Sequence, residues 1–366
     1  MKTKAAVLYE VGQPLAVEDL ELDDPKEGEV LVKVGSAGIC RSDRHFMHGD
    51  AIVSLPVVMG HEGAGTVEKV GPGVTSVRPG QQVILSFVPP CGRCKSCLSG
   101  KSNVCDVHMA TGPNMYDGTC RLHKGDHTIN HFGQVACFAE YTVVPETGCV
   151  PTAAPVPMDI AAMIGCCVPT GVGAALYSAN VQPGSTVAVV GCGGVGLNVI
   201  MGAALVNASK IIAVDIRESQ LEFAMKFGAT HSVNAADRDP VAQVKELTGG
   251  LGADYTFEVF GSADTIKAAY DMCAKSGTVT IVGIAPIGTE APINAVDIVR
   301  MEKTVRGTYY GSTRPQVDMP TMVDLYLSGK LNLDDLVVRH YSLEQVNEAY
   351  EDMDRGEVGR GAIMFG

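Results

Sequence analysis

The chain has 366 residues, about two domains at the usual 100–200 residues each, and 46% are hydrophobic, enough to fill both cores. Its formal charge of −13 disfavours a nucleic-acid partner, because a phosphate backbone is held through clustered Lys and Arg. No stretch reads as a membrane span: even the run Ile160–Ser209, free of Asp, Glu, Lys and Arg, is broken by Pro169, Asn180, Pro183 and repeated glycines.

The N-terminal ten residues hold too few apolar side chains for a secretory segment, which needs roughly 7–15. The cytoplasm is therefore the expected location. In a reducing compartment the twelve cysteines point to metal ligation or burial rather than to disulfides.

Cys40 lies in Gly38-Ile-Cys40-Arg41-Ser42-Asp43-Arg-His45, and His61 in Met59-Gly60-His61-Glu62-Gly63-Ala-Gly65. Each is ambiguous alone, since a lone cysteine is commonly a small buried hydrophobe. Cys91, Cys94, Cys97 and Cys105 form the densest signal in the chain. Four thiolates this close can close a tetrahedral zinc site with no open position, a structural rather than a catalytic arrangement. Two disulfides are the competing arrangement. Pro89, Pro90, Gly92, Ser96, Ser99 and Gly100 predict irregular backbone there, neither helix nor strand. Gly165-Cys166 then offers a third soft ligand to set beside Cys40 and His61.

Thr186–Val190 reads as a buried parallel strand, and the apolar run after Gly196 as a helix. Between them Gly191, Gly193 and Gly196 match G-x-G-x-x-G, with Gly194 and Val195 completing the loop. Such glycines allow a tight turn, close approach of a pyrophosphate and close helix–strand packing, and the helix N-terminus presents N–H groups to phosphate. The next strand, Lys210–Asp215, ends in an acid placed to bind the ribose hydroxyls of NAD and to repel the 2′-phosphate of NADP. Arg217 is positioned to cover the adenine or to soften that preference. Strands are further expected at Ala253–Val259, Thr278–Gly283 and Thr304–Tyr309, and helices at Glu218–Phe227, Pro240–Thr248 and Ala263–Lys275.

Taken together, GICRSD (38–43), GHEGAG (60–65), the four-cysteine lobe (91–105), DGTCR (117–121), the stretch 129–144, IGC (164–166), PTGVGAA (169–175) and GCGGVG (191–196) resemble the zinc-dependent medium-chain alcohol dehydrogenases. The stretch 117–144 is similar to the longer-lobed branch of that family. The two ends are similar to the actinobacterial nicotinoprotein type, which holds NAD tightly. The resemblance implies an α/β fold: a Rossmann doubly wound parallel sheet domain plus a β-rich GroES-like catalytic domain with a structural zinc lobe. Residues 1–167, with the lobe at about 89–106 and completed by 310–366, are the expected catalytic domain. Residues 168–309 are the expected NAD-binding domain, and a homodimer or homotetramer is the expected assembly.

Residue by residue, the resemblance implies two zinc ions. One is catalytic, on Cys40, His61 and Cys166, in the Cys₂His pattern known from alcohol dehydrogenase. The other is structural, on Cys91, Cys94, Cys97 and Cys105. It further implies that Glu62 sits behind the metal, that Asp43 fixes the His61 tautomer, that Arg41 and Arg360 meet the pyrophosphate and that Thr170 lies near the nicotinamide. Ser42 and His45 match the family's proton relay. The expected reaction is reversible hydride transfer between a primary or secondary alcohol and NAD, giving aldehyde or ketone. A thiol-dependent formaldehyde dehydrogenase fits less well, since that class typically carries CRTDAY where this chain has Cys40-Arg-Ser-Asp-Arg-His45. A nicotinoprotein with an external acceptor is the remaining enzymatic reading. A catalytically silent NAD-binding relative would have no reason to keep this residue set.

Overall fold

Alternating and β-branched apolar runs organise the chain into two compact units. The computed structural model describes residues 1–366. They divide into a unit made of Met1–Cys167, Thr313–Gly329 and Leu333–Gly366, and another made of Val168–Ser312 and Lys330–Asn332.

In the first unit, Lys2–Leu8, Ala16–Leu22, Leu122–Lys124, His127–His131 and Val57–Val58 close a small barrel. Beside it runs a mixed sheet of seven strands centred on Glu29–Gly38. That strand is buried almost throughout because it has neighbours on both edges, and Val30, Val32 and Val34 anchor the core. Its antiparallel pairing sets Ala37 opposite Gly63 and Gly38 opposite Ala362. The residues just beyond Gly38, just before Gly63 and just before Ala362 therefore meet at one end of the sheet. Cys40, His61, Glu62 and Arg360 are those residues.

The second unit is a wholly parallel six-stranded sheet. Across it the strands run His231–Asn234, Lys210–Asp215, Thr186–Val190, Ala253–Glu258, Cys273–Ile281 and Thr304–Gly307. In chain order this is 3-2-1-4-5-6, the doubly wound arrangement with its reversal beside the first strand. The helix Gly194–Leu205 is buried from Gly196 through Ala203, as an apolar helix without a polar face must be. No single helix is long and apolar enough to cross a membrane.

Two expectations are corrected here. The helix from Ala263 ends at Met272, not Lys275, because Cys273 turns extended and pairs with Ala253. The strand that follows accordingly begins at Cys273 and ends at Ile281, rather than spanning 278–283.

Candidate active site

The cysteine lobe is not irregular throughout, as its prolines and glycines predicted. Lys95–Leu98 forms one helical turn, capped by Cys94, whose sulfur accepts the Cys97 N–H at 3.4 Å. Sulfur thus takes the part that Ser or Asp normally plays at a helix start. Three more backbone donors point at sulfur: Cys91 N–H and His108 N–H at Cys105 (3.3 and 3.5 Å), and Cys94 N–H at Cys91 (3.3 Å). All four cysteines are free thiols, and their sulfurs lie within 4.8 Å of one another. The Cys94–Cys105 separation of 3.9 Å approaches the ~3.8 Å edge of a tetrahedron with Zn–S bonds of about 2.3 Å. The backbone N–H of Cys97 pulls the Cys94 thiol down to about 7, whereas burial pushes Cys97 up to about 12. The donor set fits a closed zinc site.

The second cluster lies at the sheet end described above. Cys40 leaves the central strand and caps the Arg41–His48 helix. His61 and Glu62 follow Gly60, whose φ of +89° and position 2.7 Å (at a Cβ) from the Phe138 backbone nitrogen exclude any side chain. Cys166 follows the Met158–Ile164 helix. The ligand atoms of Cys40, His61, Glu62 and Cys166 lie within 4.8 Å of one another, and all four residues are buried. His61 Nε2 is 3.2 Å from the Cys166 sulfur, and its Nδ1 is 3.0 Å from Asp43 Oδ1. A carboxylate only accepts, so Nδ1 carries the proton and Nε2 keeps its lone pair for a metal.

Charge is crowded here. A hydrogen bond from Cys166 holds the Cys40 thiol well below its ordinary range and leaves Cys166 well above its own. Burial opposes protonation of His61, but Asp43 and Cys40 outweigh it and raise the imidazole. Burial lifts Glu62 to about 7, with Arg360 offsetting part of the rise. Two thiols and an imidazole converging in a dry pocket make a fitting seat for a divalent cation.

The remaining predicted residues are distributed around these clusters. Arg41 is exposed at the start of the Arg41–His48 helix, with Ser42 half-buried beside it. His45 lies one turn on, its Nδ1 3.0 Å from Asp50 Oδ2. Arg360 does not stand at an open anion site. Its guanidinium is buried, donating to Glu62 at 2.6 Å and to the Ile39 carbonyl at 2.8 Å. Sequence reasoning missed Asp50 and an aromatic wall beside the cluster. Phe87 and Phe132 meet the His61 ring edge-on at 5.1 and 5.7 Å, and Phe46 packs on Phe132 at 4.8 Å. No spacing signal marks these phenylalanines, which come from three separate segments.

In the second unit Gly191 turns with φ +98°, and Gly193 opens the Gly194–Leu205 helix with nothing near its absent Cβ. A Cβ on Gly196 would meet the Gly191 carbonyl at 1.9 Å, so only glycine allows this packing. Gly194 and Val195 form the half-buried first turn, whose N–H groups face outward from the helix start. Asp215 ends its strand and accepts the backbone N–H of Cys192 at 2.8 Å and of Arg217 at 3.1 Å. It thereby ties the glycine turn to the turn after the second strand. Arg217 is exposed at the start of the next helix, and Thr170 lies half-buried in the Cys167–Gly173 helix. A cradle that only glycine fits, a helix start and an acid at the next strand end suit a dinucleotide.

Known proteins share both parts. A family model described as an alcohol dehydrogenase GroES-like domain matches residues 26–155, and one described as a zinc-binding dehydrogenase matches 194–328. An NDMA-dependent alcohol dehydrogenase from Amycolatopsis methanolica is 42% identical over 368 residues, covering 100% of this chain and 99% of its own. Putative alcohol dehydrogenase D of Mycobacterium tuberculosis is 40% identical, with 100% of both chains covered. Among solved structures, benzyl alcohol dehydrogenase from Acinetobacter calcoaceticus superposes with a TM-score of 0.95 at 34% identity, again over 100% of both chains.

Proposed function

The chain belongs to the zinc-binding medium-chain alcohol dehydrogenase family, and from that premise we propose that it transfers hydride reversibly between a primary or secondary alcohol and NAD, using two zinc ions. Its class, an alcohol dehydrogenase acting on a small molecule, follows from its relatives. The observation that carries the finer reading is the convergence of Cys40, His61, Glu62 and Cys166 within 4.8 Å.

Cys40, His61 and Cys166 would hold the catalytic ion, and Cys91, Cys94, Cys97 and Cys105 the structural one. Zinc, when bound, supplies Lewis acidity that makes an alcohol hydroxyl easier to deprotonate. NAD, when bound, supplies the carbon that accepts hydride. The rest falls to side chains. Asp43 holds the proton on His61 Nδ1 and so aims Nε2 at the ligand position. Arg360 neutralises Glu62, so that one more buried negative charge does not repel the thiolates. Ser42 Oγ would take the proton of the alcohol, and His45, anchored through Nδ1 to Asp50, would hand it on to solvent. Gly191, Gly193, Gly194, Val195 and Gly196 cradle the pyrophosphate, and Asp215 takes the ribose, making the second unit the NAD-binding domain.

The test is a metal count by mass spectrometry combined with NADH absorbance over a panel of alcohols. Two zinc ions per chain with alcohol-dependent NADH formation supports the proposal. One zinc and no turnover with any alcohol overturns it.

A second reading has its own support: the 42% identity over the full chain to a protein described as NDMA-dependent. On this reading NAD stays bound through the cycle and an external acceptor reoxidises it. It expects NAD to co-purify and turnover to proceed with NDMA while added NAD alone sustains none.

A further inference from the structure

Asp43 uses only one of its carboxylate oxygens on His61. Oδ1 is bonded to Nδ1, whereas Oδ2 is sealed from solvent with no hydrogen-bond partner. A buried carboxylate oxygen left in that state is costly, and such groups are nearly always paired. The Tyr350 hydroxyl is in the same condition: the residue is 1% exposed and its oxygen has no partner.

These two orphans lie in one region of the core: Tyr350 belongs to the same buried cluster as Met47, one helical turn on from Asp43, and Met59, two residues before His61. Asp43 is the foremost charge acting on Tyr350, and the Tyr350 hydroxyl in turn acts on the Asp43 carboxyl. Burial keeps the phenol protonated, so it can only donate to the carboxylate. Tyr350 arrives from the Val346–Arg355 helix, about three hundred residues on in the chain, and its ring packs on Phe138 at 6.3 Å. Phe138 in turn bonds through its N–H to the Met59 carbonyl, two residues before His61. A phenylalanine would fill this core equally well. A hydroxyl carried into a dry core is retained at a cost unless it has a polar partner.

We propose that Tyr350 is a positioning residue: its hydroxyl donates to Asp43 Oδ2 and completes a Tyr350–Asp43–His61 chain that holds the imidazole toward the metal position. With both oxygens engaged, the carboxylate is fixed in rotation about its Cβ–Cγ bond, and His61 Nε2 keeps its direction. The inference rests on the proposed metal at Cys40, His61 and Cys166. It adds to that set a residue that touches neither metal nor substrate.

The experiment measures zinc release from the purified full-length protein to a colorimetric chelator, for wild type, Y350F, D43N and Y350F/D43N. Partners in this position commonly change metal affinity by about 10- to 100-fold. In Y350F one of the two zinc ions is expected to leave about tenfold faster, while the lobe zinc leaves at the wild-type rate. In the D43N background, adding Y350F is expected to change nothing further, because the hydroxyl acts only through Asp43. A wild type that holds zinc in the lobe alone overturns this inference together with the metal reading beneath it. Two zinc ions in the wild type with unaltered release from Y350F overturns the Tyr350 inference alone. So does an acceleration of equal size in both backgrounds, which would mark Tyr350 as core packing.

Discussion

Arg360 donates to Glu62 across 2.6 Å with both side chains buried. The same guanidinium holds the carbonyl of Ile39, so one side chain ties the last strand of the first unit to the residue before Cys40. Burial already lifts Glu62 to about 7 with Arg360 present. Removing the cation alone leaves a buried carboxyl with no counter-charge, which must stay ionised at a cost or take up a proton. R360A is expected to destabilise the protein by about 3–5 kcal/mol, the usual cost of breaking a buried pair. E62Q is expected to cost less, since an amide keeps the hydrogen bond and carries no charge to orphan. Adding E62Q to R360A should then recover part of the loss. Urea unfolding midpoints of the three variants decide it, and a double variant weaker than R360A counts against the argument.

His131 gives a pH dependence of definite sign. It is fully buried, its Nε2 accepts the Arg121 N–H at 3.0 Å, and burial pushes its imidazole down to about 3. An unfolded chain protonates this ring below about 6.5, while the folded chain leaves it neutral. Protons therefore favour unfolding: the contribution is complete above about 6.5 and is lost as pH falls toward the folded value. Between pH 6.5 and 5 the loss from this ring is about 2 kcal/mol. H131Q keeps an acceptor for Arg121 and cannot titrate. Urea midpoints should show wild type falling more steeply than H131Q across that window. Parallel slopes would remove His131 as the cause.

Which parts of this protein were readable before folding follows from where the information lies. Thr186–Val190 and Lys210–Asp215 were expected with these bounds because each is an apolar β-branched run closed by a turn signal. His231–Asn234 was not expected: it is an edge strand of four residues, only Val233 of them buried, defined solely by pairing with Ile212–Asp215. The turn at Lys95–Leu98 was hidden because its cap is a cysteine, a residue without capping preference unless its thiol is drawn toward the charged form. Cys40, His61 and Cys166 stood out as three soft ligands and were joined into one site by family resemblance; the sheet register gathers Cys40 and His61, and the end of the Met158–Ile164 helix brings in Cys166. Asp50, Phe87, Phe132 and Tyr350 carry no local pattern. Asp50 meets His45 locally, just past the end of the Arg41–His48 helix, whereas Phe87, Phe132 and Tyr350 reach the surroundings of His61 only once remote segments have packed.

On the proposed function, Asp215 bears on cofactor choice. Its two oxygens accept the N–H groups of Cys192 and Arg217, so the carboxylate is already oriented before any ribose arrives. D215N keeps the size, removes the charge and turns one of the two accepting oxygens into an amide nitrogen that cannot accept an N–H. Loss of a charged hydrogen bond is worth about 1.5–3 kcal/mol, so NAD binding should weaken about 10- to 100-fold while NADP binding improves relative to it. Calorimetric titration of both dinucleotides, or the NAD retained after denaturation where it co-purifies, measures the change. An unaltered preference would place the ribose elsewhere.

The proposed relay is testable through its pH behaviour. Ser42 and His45 share one helix a turn apart, and the Asp50 carboxylate holds the His45 Nδ1 proton at 3.0 Å. Only Nε2 is then free to take up a proton. A positioned acid–base group contributes about 10²–10⁴-fold. H45Q should therefore lower kcat about 10²-fold near neutral pH with little change in KM, because the side chain moves protons and does not bind substrate. The deficit should shrink as pH rises, since hydroxide in solvent replaces the missing base. D50N leaves a neutral acceptor beside Nδ1 and should lower kcat less than H45Q does. A deficit in H45Q that stays constant from pH 6 to pH 10 would mean that the proton leaves by another route, and His45 would then be a helix residue anchored to Asp50 and nothing more.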